Sequence, residues 1–157
     1  MKRITTIIVL FLTVSITAQK NTFKQFYKSH KADAEVSLNL PGFLVRMFMD
    51  DDDIDEEELL EKASNFKVMV FEKPDTKVAS DFRKYIKRNN FKTLVRAKDG
   101  KDRAEIYFLE RNDHIREIVL RVGSKEDELV LLGLKTKLTK DELAAIVSSA
   151  NVEIAAK

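Results

Sequence analysis

The sequence of 157 residues contains no cysteine and no tryptophan. Without cysteine there can be no disulfide framework, no thiolate zinc site, no cysteine nucleophile and no lipid attached through a cysteine. Two prolines and four glycines are too few for a collagen-like or flexible-linker protein. Two histidines leave little material for a histidine-based metal or acid–base centre. These absences exclude many kinds of site before any motif is considered.

The residues that are present suit one packed domain. Hydrophobic residues make up 44% of the chain, which is enough to form a core at this length. The 28 lysines and arginines are nearly balanced by 26 acidic residues. Two of the cations, Lys2 and Arg3, precede the first apolar run, and the rest of the chain is neutral. We therefore do not expect nucleic acid as a partner.

The N-terminus has the three regions of a secretory signal peptide. Lys2 and Arg3 are followed by the apolar stretch Ile4 to Ile16 and then by the small residue Ala18. This predicts a signal peptide over residues 1–18 and a single domain over residues 19–157, beginning at Gln19. An uncleaved membrane anchor is the alternative, but the stretch is short for a membrane span. The expected product is periplasmic or extracellular, is not a lipoprotein and has no transmembrane segment.

Apolar residues recur at helical spacing in several segments of the mature chain. Thr22 is expected to cap the first of these helices, and Thr139 with Glu142 has the spacing of a capping box for the last. Val78, Phe82 and Ile86 place one apolar stripe on the helix that follows Pro74, with Lys84 on its other face. The other predicted helices run from Phe23 to about His30, from Pro41 to about Met49 and from Asp55 to Ala63.

Alternating apolar residues predict the strands, which lie on both sides of the helix after Pro74. That helix is expected to cross from the first strand to four consecutive strands joined by tight turns, such as Asp99-Gly100. The predicted fold is α+β, with an antiparallel four- to five-stranded sheet (a meander) packed with amphipathic helices and one crossover helix. Because Leu129 to Leu132 is apolar on both faces, we expect its strand to lie centrally in the sheet, or its outer face to be covered by a helix or a partner. The predicted strands are Phe66 to Phe71, Phe91 to Lys98, Arg103 to Glu110, Ile115 to Val122 and Glu128 to Lys135, with a brief extended piece at Val36 to Leu38.

These patterns resemble a known family. The leader, an extended piece before an apolar helix, and the C-terminal meander are similar to the secreted "domain of unknown function 4252" family of Gram-negative, Bacteroidetes-type bacteria. The matching pieces are Val36 to Met49, Phe66 to Val70, Ala104 to Leu109, Glu117 to Leu120 and Leu129 to Leu134. The resemblance covers nearly the whole mature chain and implies a small envelope protein. It implies no activity and no site residues.

The segment Asp50 to Glu61 holds nine carboxylates in twelve residues. A calcium loop needs alternating oxygen ligands, a glycine at its sixth position and a glutamate at its twelfth. Counted from Asp50, Ile54 fills a ligand position and Asp55 replaces the glycine; counted from Asp51, Lys62 ends the loop. We favour a solvated acidic linker and predict no metal site and no cofactor, with loose binding of divalent cations left open.

Between Arg83 and Arg103 the chain carries nine cations against Asp99 and Asp102. The favoured interpretation is a solvated helix face and sheet edge. A surface for an anion or an anionic lipid is the alternative. A third interpretation is that these cations pair with the acidic segment, within one chain or between copies.

No catalytic motif is present, so no catalytic residue is predicted. Glu105 and Glu117 lie on neighbouring strands and could form a carboxylate pair of the glycosidase kind. Outward-facing glutamates in cross-strand ion pairs with nearby arginines are the favoured interpretation. His30 and His114 are expected at the surface.

The favoured function is a non-enzymatic interaction module that binds an unknown envelope protein or a second copy of itself. The alternatives are a small apolar-ligand carrier, with a pocket between the helix Phe43 to Met49 and the sheet, and a carboxylate-only hydrolase. That helix is apolar nearly all round, so Val45 and Met49 are a possible interaction surface. Replacing each with aspartate separates a core position, where the protein unfolds, from a binding position, where only association is lost.

Overall fold

Four helices and six strands make up the part of the chain that the computed structural model describes, which is residues 22–47, 61–73, 76–124 and 128–155. The helices are α1 (Phe23–His30), α2 (Gly42–Met47), α3 (Thr76–Arg88) and α4 (Lys140–Ala155). The strands are β1 (Val36–Leu40), β2 (Ser64–Glu72), β3 (Lys92–Asp99), β4 (Asp102–Arg111), β5 (His114–Gly123) and β6 (Glu128–Thr139).

All six strands form one open antiparallel sheet in the order β1-β2-β6-β5-β4-β3. The predicted α+β class, the meander from β3 to β6 and the crossover by α3 are confirmed. β6 lies between β2 and β5, so of the two possibilities for its apolar faces the central position is observed. The prediction of four to five strands is wrong by one, because the short extended piece Val36–Leu40 pairs with β2 as an edge strand.

One face of the sheet, which we call face A, is covered by α1 and α3. Met69 and Leu131 contribute fully buried side chains from the sheet, and Phe82 of α3 is 1% exposed. The Phe82 ring lies 5.7 Å from the Phe26 ring and 6.1 Å from the Tyr107 ring. The predicted phase of α3 is confirmed, since Lys84 on its other side is exposed.

The opposite face, face B, carries α4. Leu143 of α4 is buried in one cluster with Ile115 and Leu138 of the sheet. The predicted capping box is present: the Thr139 N–H donates to Glu142 Oε2 at 2.8 Å, and the Glu142 N–H donates to Thr139 Oγ1 at 3.3 Å. The two bonds satisfy amide groups that a helix start otherwise leaves unpaired.

The start of α1 is held by a residue from the sheet. Thr22 lies at the N-cap position, but its side chain makes no capping hydrogen bond, which corrects the expectation. Instead the Phe23 N–H donates to Glu117 Oε2 at 3.0 Å. The helix approaches the sheet at Gly133, where a side-chain carbon would lie only 2.0 Å from the Phe23 ring. A carboxylate at this end of a helix is also favoured by the helix dipole.

Candidate binding cleft

Both strand glutamates face the helices and not the solvent. Glu105 is 8% exposed and Glu117 is 4% exposed, so the prediction of outward-facing side chains is wrong. The reason is that Glu105 lies on the side of β4 that turns towards α3, and it pairs there with arginines of the neighbouring strands. Ile106 and Phe108 turn towards face B. The row formed by Tyr107 and Val119 separates the two glutamates, so they form no carboxylate pair.

A cleft of about 580 Å³ lies on face A between α3 and the strands β3 to β5. Its floor follows the strand register, in which Arg96 is opposite Glu105 and Glu105 is opposite Arg121. Its wall comes from α3, where Arg83 and Lys87 are one helical turn apart and share a face. The cleft is lined by Ala79, Phe82, Arg83, Ile86, Lys87, Thr93, Arg96, Arg103, Glu105, Tyr107, Arg121, Ser124 and Leu129.

Glu105 holds two arginines in place across the floor of the cleft. Its Oε1 accepts from Arg96 Nε at 2.9 Å, and its Oε2 accepts from Arg121 Nη1 at 3.0 Å. Burial on its own raises the pKa of a carboxyl group, but the hydrogen bond from Tyr107 and the two arginine charges outweigh burial, so the pKa of Glu105 is lowered. The expected cross-strand ion pair with Arg121 is therefore present, inside the protein.

Positive charge exceeds negative charge in the cleft. Five of the lining residues are cations and one is a carboxylate. Within the described residues Arg83, Lys87 and Arg103 make no ion pair. Guanidinium groups match the planar geometry of carboxylates and phosphates, and a concave surface of one sign concentrates counter-ions. The arrangement is therefore suited to binding an anion.

The cleft combines two sets of residues that sequence reasoning treated as solvated. The spacing of Arg83 and Lys87 was enough to predict that they share a helix face. The charged residues of the floor come together only through the register of three strands, which the sequence does not show directly. This geometry is suited to the interpretation of the cationic segment as an anion surface. Pairing with the acidic segment stays a prediction, because residues 50–60 lie outside the described part of the chain.

A second group of ionisable residues lies on face A beneath α1. Burial raises the pKa of Glu117, although the Phe23 N–H and the Tyr85 hydroxyl both donate to its carboxyl group. Burial lowers the pKa of Lys67, whose Nζ donates to Asn39 Oδ1 at 2.7 Å. The space at this group is only about 10 Å³, which leaves no room for a ligand.

The two histidines differ from each other in burial. His30 is 8% exposed, which corrects its predicted place at the surface, because its ring packs 4.6 Å from the Phe26 ring at the end of α1. His114 is partly exposed, and its Nδ1 lies 2.9 Å from the Asn112 carbonyl oxygen. Across the four described ranges, no group of three or more His, Asp or Glu residues could hold a metal ion.

The residues predicted as an interaction surface are not tested by this geometry. Val45 belongs to α2, but its side chain is outside the described part of the structure, and Met49 is outside it altogether. Residues 50–60 of the acidic segment and most of the helix predicted from Asp55 to Ala63 are outside it as well. Phe43, on the same helix α2, is 57% exposed.

Fold and cleft together define an α+β protein with an open six-stranded antiparallel sheet and a cationic cleft on its helix-covered face. A family model described as a domain of unknown function (DUF4252) matches residues 17–146, and the chain belongs to this family. Neither a curated protein nor a solved structure matches the chain. None of the helices in the described ranges has the length and apolar content needed to cross a membrane.

Proposed function

We propose that the protein is an exported, non-enzymatic binding module of the cell envelope that holds an anionic ligand in the cleft of face A. The observation that carries this proposal is the arrangement around Glu105. This carboxylate fixes Arg96 and Arg121 in the floor, while Arg83, Lys87 and Arg103 keep their charges without a carboxylate partner in the described residues.

The surplus of charge separates a binding site from an ordinary structural ion pair. A structural pair needs one carboxylate for each cation, whereas this cleft has five cations and one carboxylate, which pairs with two of them. Arginines that are already held by hydrogen bonds lose little conformational freedom when a ligand arrives, so more of the interaction energy appears as affinity. The partly buried Ile86 adds apolar lining beside the cations. A molecule with an acidic group and a short apolar part fits both features, and the volume is in the range of small-molecule sites.

Binding is favoured over hydrolysis by the state of the two buried carboxyl groups. A general acid needs a raised pKa together with access to the substrate. Glu105 lines the cleft, but its pKa is lowered by its partners. The pKa of Glu117 is raised, but Glu117 lies beneath α1, where no ligand fits. Neither residue combines the two requirements.

The test measures calorimetric binding of octyl phosphate, with octanol as the uncharged probe. We expect octyl phosphate to bind, octanol to bind at least tenfold more weakly, and added salt to weaken the octyl phosphate complex. Lys87→Gln should weaken it about tenfold, the size of one charge-assisted hydrogen bond. Lys84→Gln is the matched control, because Lys84 is on the same helix but pairs with Asp81 outside the cleft. Equal losses in the two variants, or no binding of octyl phosphate, would contradict the proposal.

Export has its own test. N-terminal sequencing of the protein recovered from the envelope fraction should begin at Gln19. Recovery of the chain with Met1 in place would contradict cleavage after Ala18, favour the uncleaved membrane anchor and leave the anion site untouched.

A further inference from the structure

Face B presents two complete rows of apolar side chains across the sheet. In an antiparallel sheet, residues that are paired across neighbouring strands lie side by side on the same face. The strand register therefore places two sets of six residues in line, one residue from each strand. The first row is Val36, Val70, Val130, Val122, Ala104 and Ala97. The second row is Leu38, Val68, Leu132, Leu120, Ile106 and Val95.

None of these twelve side chains is fully buried. Leu38 is 46% exposed and Val36 40%, at one edge of the sheet, and Val122 and Val95 are 37% and 36% exposed towards the other. On face A the corresponding strands supply Met69 and Leu131, both at 0%. The other strands of the rows carry partly exposed side chains, of which Ile106 and Leu132 pack against the cluster that holds α4. An apolar patch that stays partly exposed across a whole sheet is typical of an interaction surface.

An acidic row borders the first apolar row. Glu72 is paired with Glu128, and Asp99 is paired with Asp102, and all four are two residues beyond the first row on their strands. All four side chains are exposed. Like charges that face each other across strands are unfavourable without a compensating partner. In these registered pairs no cation is opposite any of the four carboxylates.

We propose that face B binds a cationic amphipathic segment of another protein, with apolar side chains on the two rows and lysines or arginines against the acidic row. This site is independent of the cleft, which is on the other face. Six strands place the outer strands about 24 Å apart, and the rows are about 7 Å apart. About sixteen residues of helix span that length.

A second copy of this chain is a poorer occupant, because the registered pairs of face B contain no row of cations to oppose the acidic row.

The probes are two fluorescent eighteen-residue helical peptides with the same leucine stripe, one flanked by lysines and one by glutamates. We expect the lysine peptide to bind the purified protein at least tenfold more tightly. Leu38→Ser should weaken binding of the lysine peptide severalfold. The double variant Glu72→Gln with Glu128→Gln should reduce the preference for lysine about threefold or more. Asp113→Asn is the matched control, since it removes a 94% exposed carboxylate at the turn between β4 and β5.

Three results would overturn the proposal. The first is equal affinity for the two peptides, or binding of neither. The second is an equal loss of preference in the control variant. The third is a different occupant: association of the protein with itself in light scattering, or with anionic vesicles in flotation, that is lost in Leu38→Ser while neither peptide binds.

Discussion

The two faces of the sheet differ in a way that residue type alone does not suggest. Face A carries the glutamates, lysine and arginines of the sheet interior, yet it is the face that α1 and α3 cover. Face B is apolar across all six strands in two rows, yet none of those side chains is fully buried. Face B is covered by α4 at the cluster around Leu143, but not along these two rows. The comparison teaches that hydrophobic content does not by itself identify the covered rows of a sheet. Whether the polar groups have hydrogen-bond or ion-pair partners is equally important for which part of the sheet is covered.

Face A tolerates its two buried glutamates because each one has hydrogen-bond partners. Glu105 receives hydrogen bonds from two arginines, and Glu117 receives them from a backbone amide and a tyrosine. Among the described residues, no buried side-chain nitrogen or oxygen lacks a hydrogen-bond partner. A buried polar group without a partner is costly, whereas one with partners adds to the specificity of the packing.

The largest expected effect is at the centre of face A. Phe82→Ala should lower the free energy of unfolding by about 3–5 kcal/mol, because it removes a ring that is 1% exposed and contacts two other aromatic rings. Lys84→Ala, on the same helix but exposed, should change it by less than about 0.5 kcal/mol. Urea denaturation of the two variants measures the difference. Similar losses would mean that α3 does not present this side to the sheet.

The second effect concerns the ion pairs of face A. Glu105→Ala leaves the Arg121 side chain, which is 13% exposed, without its carboxylate, and should cost roughly 2–3 kcal/mol. Glu110→Ala is the control on the same strand, because Glu110 pairs with Lys92 and Lys140, whose side chains are 63% and 57% exposed. Solvent screens such a pair, so its removal should cost less. If urea denaturation shows that Glu110→Ala lowers the free energy of unfolding as much as Glu105→Ala does, then burial does not increase the contribution of the ion pair.

Local patterns were sufficient to predict much of this fold. The meander, the crossover by α3, the phase of Phe82 and the capping box of Thr139 with Glu142 depend on residues close together in the chain. The missed features depend on distant residues. β1 becomes a strand only by pairing with β2, and Glu117 caps a helix that starts 94 residues earlier in the chain. The charged residues in the floor of the cleft lie side by side only because of the register of β3, β4 and β5, which no local sequence pattern predicts.

The two buried glutamates should respond to pH in opposite directions. The pKa of Glu117 is raised by burial, so its ionisation is less favourable in the folded protein than in the unfolded chain. Its contribution to the free energy of unfolding should therefore fall as pH rises from its ordinary pKa of 4.5 towards the raised value. The lowered pKa of Glu105 gives the reverse, a contribution lost as pH falls below its ordinary pKa.

Glu117→Gln isolates the first of these contributions. Glutamine keeps an oxygen for the Phe23 N–H but does not titrate, so the stability of the native protein relative to this variant should decrease as pH rises through that window. Urea denaturation between about pH 4 and pH 8 gives the free energy of unfolding of both proteins. Subtracting one from the other cancels the contributions of the other carboxylates, which the two proteins share. A difference that is constant or increases with pH would contradict the raised pKa.

The smallest expected effect tests face B directly. Leu38→Ala removes a side chain that is 46% exposed, and should lower the free energy of unfolding by less than about 1 kcal/mol. Leu131→Ala makes the same chemical change at a side chain that is 0% exposed on face A, and should cost about 2–5 kcal/mol. Because the residue types are identical, urea denaturation of the pair measures the difference in covering between the two faces. A loss at Leu38 as large as that at Leu131 would mean that face B is already covered within the protein. A small loss at Leu38 leaves its apolar surface available to a partner, since a side chain that contributes little to folding can contribute to binding.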